Sequence, residues 1–173
     1  ASWLTDKQLK FATLDMTDAI RLKEQLSAYQ QEVGRWDVII HAAGATKCLK
    51  REDFDLHNFQ CTKNLVNTLK DMDMMPDQFL YVSSLSVLGP IREELNADGT
   101  YNDMVASDIP KPNTAYGESK VKSEEFLKGI DGVTFFRPTG VYGPREKDYF
   151  MMAKSIKQHI DLAVGYKKQV ITL

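Results

Sequence analysis

The chain has 173 residues, 43% of them hydrophobic and 27% charged, with ten glycines and six prolines, a balance that fits one folded domain. Lys and Arg number 22 against 24 Asp and Glu, a formal charge of −2, which writes neither a nucleic-acid-binding surface nor an acidic tail into the composition. No uncharged apolar run approaches the ~20 residues that cross a bilayer, and residues 1–10 lack the pattern of a secretory signal, so the expectation is a cytoplasmic chain with no membrane partner.

Residues 17–33 read as a helix, because Leu22, Leu26, Tyr29 and Val33 fall on one face, with Asp18 placed to cap it. Asp37 to Ala43 (DVIIHAA) is nearly all apolar without alternation, the pattern of a parallel strand buried on both faces. Helical spacing returns over 53–72 through Cys61, Leu65, Leu69 and Met72. Phe79 to Ser83 (FLYVS) reads as a strand, 114–128 as a helix and Val133 to Arg137 (VTFFR) as a strand. Tyr149, Met152, Ile156 and Ile160 mark one face of a further helix, and Gln169 to Leu173 (QVITL) looks like a last strand. Strands separated by helices predict an α/β parallel sheet with right-handed crossovers. The exception is 89–113, rich in Gly and Pro, a long connection leaving a strand end, where ligands of open α/β sheets bind. Its acidic residues Glu93, Glu94, Asp98, Asp103 and Asp108 read as a solvated face. Cys48 and Cys61 are expected as free thiols, and His41, His57 and His159 show no metal-ligand spacing with them, so no metal site is expected.

Three segments carry chemistry together. Ser83 and Ser84 close the strand FLYVS; Tyr116 and Lys120 lie four apart in TAYGESK and so project from one helix face; Arg137 and Pro138 lead into Val141-Tyr142-Gly143-Pro144. An ammonium beside a phenol favours the ionised phenol, which fits Tyr116 as general acid or base toward a substrate hydroxyl or carbonyl, with Ser84 holding that oxygen. Taken singly, Tyr116 and Lys120 are also an ordinary surface pair and the serines an ordinary strand end.

In this ordered combination the chain resembles the extended short-chain dehydrogenase/reductase family of NAD(P)-dependent epimerases, dehydratases and reductases. FLYVSSLSVLG is similar to its active-site serine strand, TAYGESKVKSEEF to its Y-x-x-x-K helix and FFRPTGVYGPRE to the segment passing the nicotinamide. The resemblance implies a Rossmann-type doubly wound parallel sheet, with Ser84, Tyr116 and Lys120 catalytic and NAD or NADP as cofactor. It further places Asp15 against the adenine, Ala42, Ala43 and Gly44 along the ribose and pyrophosphate, and Ser83, Asn58, Tyr116, Lys120 and Pro138 around the cofactor. Leu88 stands where the family has Tyr, and Cys61 where its N-V-x-G-T helix has Gly. Other readings stand beside these: Asp15 as a turn residue before a helix, Asn58 facing water, 42–44 packing tightly at a strand end, and Arg145 either meeting a substrate anion or solvated on its loop.

The family's opening strand and G-x-x-G-x-x-G turn do not occur, and Lys10 to Asp15 matches its third strand. The expectation is therefore one partial dinucleotide-binding domain over 1–173, lacking the first two strands and the C-terminal substrate-binding part and inactive alone. The resemblance implies a small-molecule substrate, either a nucleotide sugar or a ketone of the dihydroflavonol or hydroxysteroid type. It also implies a homodimer through helices 53–72 and 114–128. The competing class is a cofactor-sensing or scaffold protein that keeps the fold without catalysis.

Overall fold

The computed structural model describes residues 8–90 and 96–160. It shows helix α1 (Ala19–Val33), strand β1 (Val38–His41), a helical run made of α2 (Arg51–Phe54), a π-helical segment (Asp55–Gln60) and α3 (Cys61–Asp71), strand β2 (Gln78–Val82), a 3₁₀ turn (Leu85–Leu88), helix α4 (Ala115–Leu127), strand β3 (Val133–Phe136) and helix α5 (Asp148–Lys157). The three strands form a parallel sheet in the order β1-β2-β3, with Ile39 opposite Phe79 and Tyr81 opposite Phe135. This is the α/β architecture that alternating strand and helix patterns dictate.

Local chemistry explains the boundaries. Asp18 caps α1, its carboxylate accepting from the amides of Ile20 and Arg21 at 2.9 and 3.1 Å, and Gly34 ends the helix with a positive φ of 69°. Thr114 caps α4 by accepting from the Gly117 amide at 3.0 Å. In the strands side chains alternate, so Ile39, His41, Phe79, Tyr81, Val133 and Phe135 share one face. That face meets Leu22 and Leu26 of α1, Leu65, Val66 and Leu69 of α3 and Leu127 of α4, and this is the core.

The structure departs from the sequence reading in four places. The DVIIHAA strand is not buried on both faces: Val38 and Ile40 point away from the core and are 51% and 65% exposed, because no helix among the described residues covers that side. Lys10 to Asp15 forms no strand and joins no ladder, for among the described residues β1 pairs with β2 alone. The 53–72 helix starts at Arg51 and is interrupted by the π-helical turn. Tyr149, Met152, Ile156 and Ile160 do lie on and just beyond α5, yet Met152, Ile156 and Ile160 are exposed. The expected strand Gln169–Leu173, with Glu93 and Glu94, lies outside the described residues. The apolar faces of α3 and α4 cover the sheet, while α4 presents outward Glu118 and Lys122, paired with Arg51 and Asp55. No helix among the described residues is long and apolar enough to cross a membrane.

Candidate active site

Helix α4 carries Tyr116 and Lys120 one turn apart, so both face the carboxyl ends of the strands. Lys120 is 4% exposed, and its Nζ donates to the carbonyl of Val82, the last residue of β2, at 3.0 Å. The ammonium lies 4.9 Å from the centre of the Tyr81 ring and 6.0 Å from that of Tyr116. Burial disfavours the charged form and brings the Lys120 pKa down to about 8, with the Glu124 carboxylate one turn on opposing part of that shift. Tyr116 is half-buried, its ring edge-on to Phe54 at 6.1 Å.

The serines arrive from β2. Ser83 continues the ladder, its amide donating to Phe136 O at 2.8 Å, while its buried hydroxyl has no partner among the described residues. Ser84 caps the 3₁₀ turn: its Oγ accepts from the Ser86 amide at 3.2 Å and lies 3.0 Å from Ser86 Oγ. The turn is tied to the end of β3 by the Leu85 amide, which donates to Pro138 O at 3.0 Å.

Two glycines let these parts meet. A Cβ on Gly117 would stand 2.6 Å from the Ser86 carbonyl, so the bare backbone of α4 rests directly on the serine turn. A Cβ on Gly44 would stand 2.6 Å from Asn58 Oδ1 and 3.4 Å from Lys120 Nζ. The result is a cleft of about 510 Å³ that collects Ala42, Gly44, Ser83, Ser84, Tyr116, Lys120 and Pro138. Across its mouth Lys47 donates to both carboxylate oxygens of Asp148, at 2.9 and 2.7 Å.

The remaining sequence candidates lie elsewhere. Asn58 is fully buried behind the cleft wall: Oδ1 accepts from Ala45 N at 2.7 Å, and Nδ2 donates to Ala45 O at 3.0 Å and Ser119 Oγ at 2.9 Å. It faces neither water nor the cleft and instead clamps the 42–46 loop to α4. The π-helical turn places it there, by shifting the side-chain register of the helix within that one turn. Asp15 forms a turn, accepting from Thr17 N at 3.1 Å and Thr17 Oγ1 at 2.6 Å, bonds that hold its carboxyl below the usual range, and it does not line the cleft. Ala43 is exposed beside the cleft and outside its wall. Arg145 borders an adjoining hollow with Tyr142, Pro144 and Phe150.

Several residues were not singled out in the sequence. Ser119 and Ser123 flank Lys120 and bind the π-helical turn, Ser123 Oγ reaching Asn58 O at 3.2 Å. Arg137 was noted only as part of its segment, yet its guanidinium forks onto Glu124. The signal available was the spacing: Glu124 follows Lys120 by one turn and so shares its face.

Residues 1–171 match the model of the NAD dependent epimerase/dehydratase family. The chain belongs to that family. A sterol-4-alpha-carboxylate 3-dehydrogenase (decarboxylating) of Candida albicans is 27% identical over 157 residues, 83% of this chain and 42% of that protein. Among solved structures, RMD from Pseudomonas aeruginosa complexed with NADPH superposes with a TM-score of 0.67 at 26% identity, over 85% of this chain and 49% of the other. UDP-glucuronic acid 4-epimerase from Bacillus cereus in complex with NAD superposes with a TM-score of 0.68 at 23% identity, over 94% and 50%. Membership of the family agrees with a Rossmann-type sheet of which this chain holds three described strands. The chain spans half or less of the length of these relatives.

Proposed function

We propose that this chain carries the catalytic centre of an NAD(P)-dependent oxidoreductase or epimerase that acts on a secondary alcohol or ketone. The observation that supports this most is the convergence of Ser84, Tyr116 and Lys120 on one cleft. The fit to a dinucleotide rests on the cleft floor: the buried Ser83 hydroxyl lacks a partner among the described residues, and Gly44 leaves the backbone bare beside Lys120. Ala42, Gly44, Ser83, Lys120 and Pro138 would border the cofactor, with Ala43 and Asp15 nearer its adenosine end. Bound there, the nicotinamide supplies the site that accepts or gives the hydride.

The chain's own groups handle the proton. Tyr116 takes it from a substrate hydroxyl on oxidation and returns it to the carbonyl oxygen on reduction, so that no free alkoxide is released into the cleft. Ser84 donates a hydrogen bond to the same oxygen and fixes its distance from the phenol. Lys120, with one N–H spent on Val82, keeps two donors for cofactor hydroxyls while its charge favours the phenolate form during transfer. Substrate choice between a nucleotide sugar and a steroid-like or flavonoid-like ketone is set by the hollow that holds Arg145, where an anionic substrate would find its charge partner.

The test is turnover of the complete protein on a panel of ketones and sugar nucleotides with NAD(H) and NADP(H), alongside Tyr116→Phe. A fall of about 10²–10⁴-fold is expected, the usual contribution of a positioned acid or base. Equal rates in the variant would remove Tyr116 from this role. Dinucleotide binding with no turnover of any substrate would favour the cofactor-sensing alternative.

A further inference from the structure

Behind the cleft, on the side of α4 turned to β3, Arg137 and Glu124 form a pair whose side chains are 18% and 6% exposed. Nε donates to Glu124 Oε1 at 2.9 Å and Nη2 to Oε2 at 2.6 Å, a two-pronged fork. The third nitrogen, Nη1, donates to the carbonyl of Ala106 at 3.1 Å, in the long segment between the serine turn and α4. Arg137 directly follows β3 and precedes Pro138, which lines the cleft and accepts from Leu85 of the serine turn. One guanidinium thus joins the catalytic helix, the strand end leading into the cleft and the long loop.

We propose that Arg137 is a positioning residue for Tyr116 and Lys120, acting through Glu124 to fix the roll of α4 and to balance the carboxylate that lies one turn from Lys120. The inference rests on the catalytic reading of that pair given above. Of the other ties of α4, Ser119 and Ser123 to Asn58 and Lys122 to Asp55 run to the opposite side, while Gly117 on Ser86 and Lys120 on Val82 hold the helix over the serine turn and the end of β2. Without the fork α4 loses its side-chain tie to the end of β3 and to the long loop, and a rotation about its axis moves Tyr116 and Lys120 together. The charge effect has the same origin. The titratable groups around Lys120 are Tyr116 and Glu124 on its own helix, Tyr81 on β2 and His41 on β1, with Lys47, Glu146 and Asp148 lining the same cleft. Burial keeps His41 neutral in the physiological range. Glu124, one turn along the same helix, is the carboxylate that favours the charged ammonium against burial, and Arg137 shares its field.

Two variants of the complete protein test this, Glu124→Gln and Arg137→Lys, with Arg137→Gln added where it folds. The Lys120 titration midpoint is read by trace competitive acylation across pH, followed by mass spectrometry, which requires no turnover. Glu124→Gln is expected to lower the midpoint by about one unit and Arg137→Gln to raise it, as removal of a neighbouring opposite charge or of its screen dictates. Arg137→Lys keeps the charge and loses the fork, so its midpoint stays near that of the parent while kcat falls and hydrogen exchange at 101–109 accelerates. An unchanged midpoint in Glu124→Gln, or an unchanged kcat and exchange rate in folded Arg137→Lys, overturns the proposal. A shifted midpoint in a protein that turns over nothing leaves the positioning role standing and removes the catalytic reading alone.

Discussion

His41 shows how a single residue couples the sheet to the site. Its ring packs 5.9 Å from Phe79 and 5.7 Å from Tyr81, centre to centre, and Nε2 lies 2.9 Å from Thr62 Oγ1. The one hydroxyl hydrogen of Thr62 goes to Asn58 O at 2.6 Å, so Oγ1 can only accept from the ring, which assigns the proton to Nε2 of a neutral imidazole. Burial, reinforced by the Lys120 ammonium, brings the His41 pKa from 6.5 down to about 4. A folded value below the unfolded one means that the unfolded chain binds the extra proton. Stability is therefore complete above pH 6.5 and is lost progressively as pH falls toward 4, by about 3 kcal/mol at most. Denaturant titrations of the complete protein at intervals from pH 7 to 4 should show this slope, and His41→Leu should flatten it. An identical slope in the variant would assign the acid sensitivity to other groups.

At the scale of elements, the catalytic geometry depends on how closely α4 rests on the serine turn. Gly117→Ala places a methyl group against the Ser86 carbonyl, a backbone atom that cannot swing aside as a flexible side chain could. Lifting α4 by even about 1 Å displaces Tyr116 from Ser84, and misplacement of that size costs about 10²-fold in rate. The expected result for Gly117→Ala is a large loss of kcat with the fold kept, read by turnover beside circular dichroism; a kcat within a factor of two or so would show that the turn yields. The helices were legible through the spacing of their apolar residues and the strands through short apolar runs. Leu22 and Leu26 of α1 are buried at the expected four-residue spacing, and the Tyr116–Lys120 pair follows from the same rule. The contacts between elements were not legible. Asn58 enters the core because the helix changes hydrogen-bonding pattern within one turn, which leaves no trace in the spacing of Cys61, Leu65 and Leu69. Gly44 and Gly117 matter through atoms 14 and 31 residues distant in the chain, a relation that no local pattern encodes. The apolar run of β1 signalled burial on two faces, and the described structure covers only one.

At the scale of the whole molecule, that uncovered face governs behaviour. An all-parallel sheet is ordinarily covered on both sides, whereas here Val38, Ile40 and Phe136 lie open at 51%, 65% and 56% exposure. Helix α5 adds Phe150, Met151, Met152 and Ile156, all exposed. Among the described residues β1 also has one edge without a strand partner. Open apolar area and an unpaired edge both lower the free energy of association, the first by removing hydrocarbon from water and the second by completing backbone hydrogen bonds. The polypeptide of residues 1–173, prepared by itself, should therefore self-associate as its concentration rises, a behaviour that sedimentation velocity or light scattering reads directly. Ile40→Lys separates the two causes, because it puts a charge in the middle of the open face and leaves the β1 backbone edge intact. A fall in association for the variant assigns the attraction to the apolar face; unchanged association assigns it to the edge. A monodisperse monomer at all accessible concentrations would show that neither surface is available, and that other residues of the chain already cover both. In that last case dinucleotide binding by the polypeptide of residues 1–173 would become the next property to measure by calorimetry.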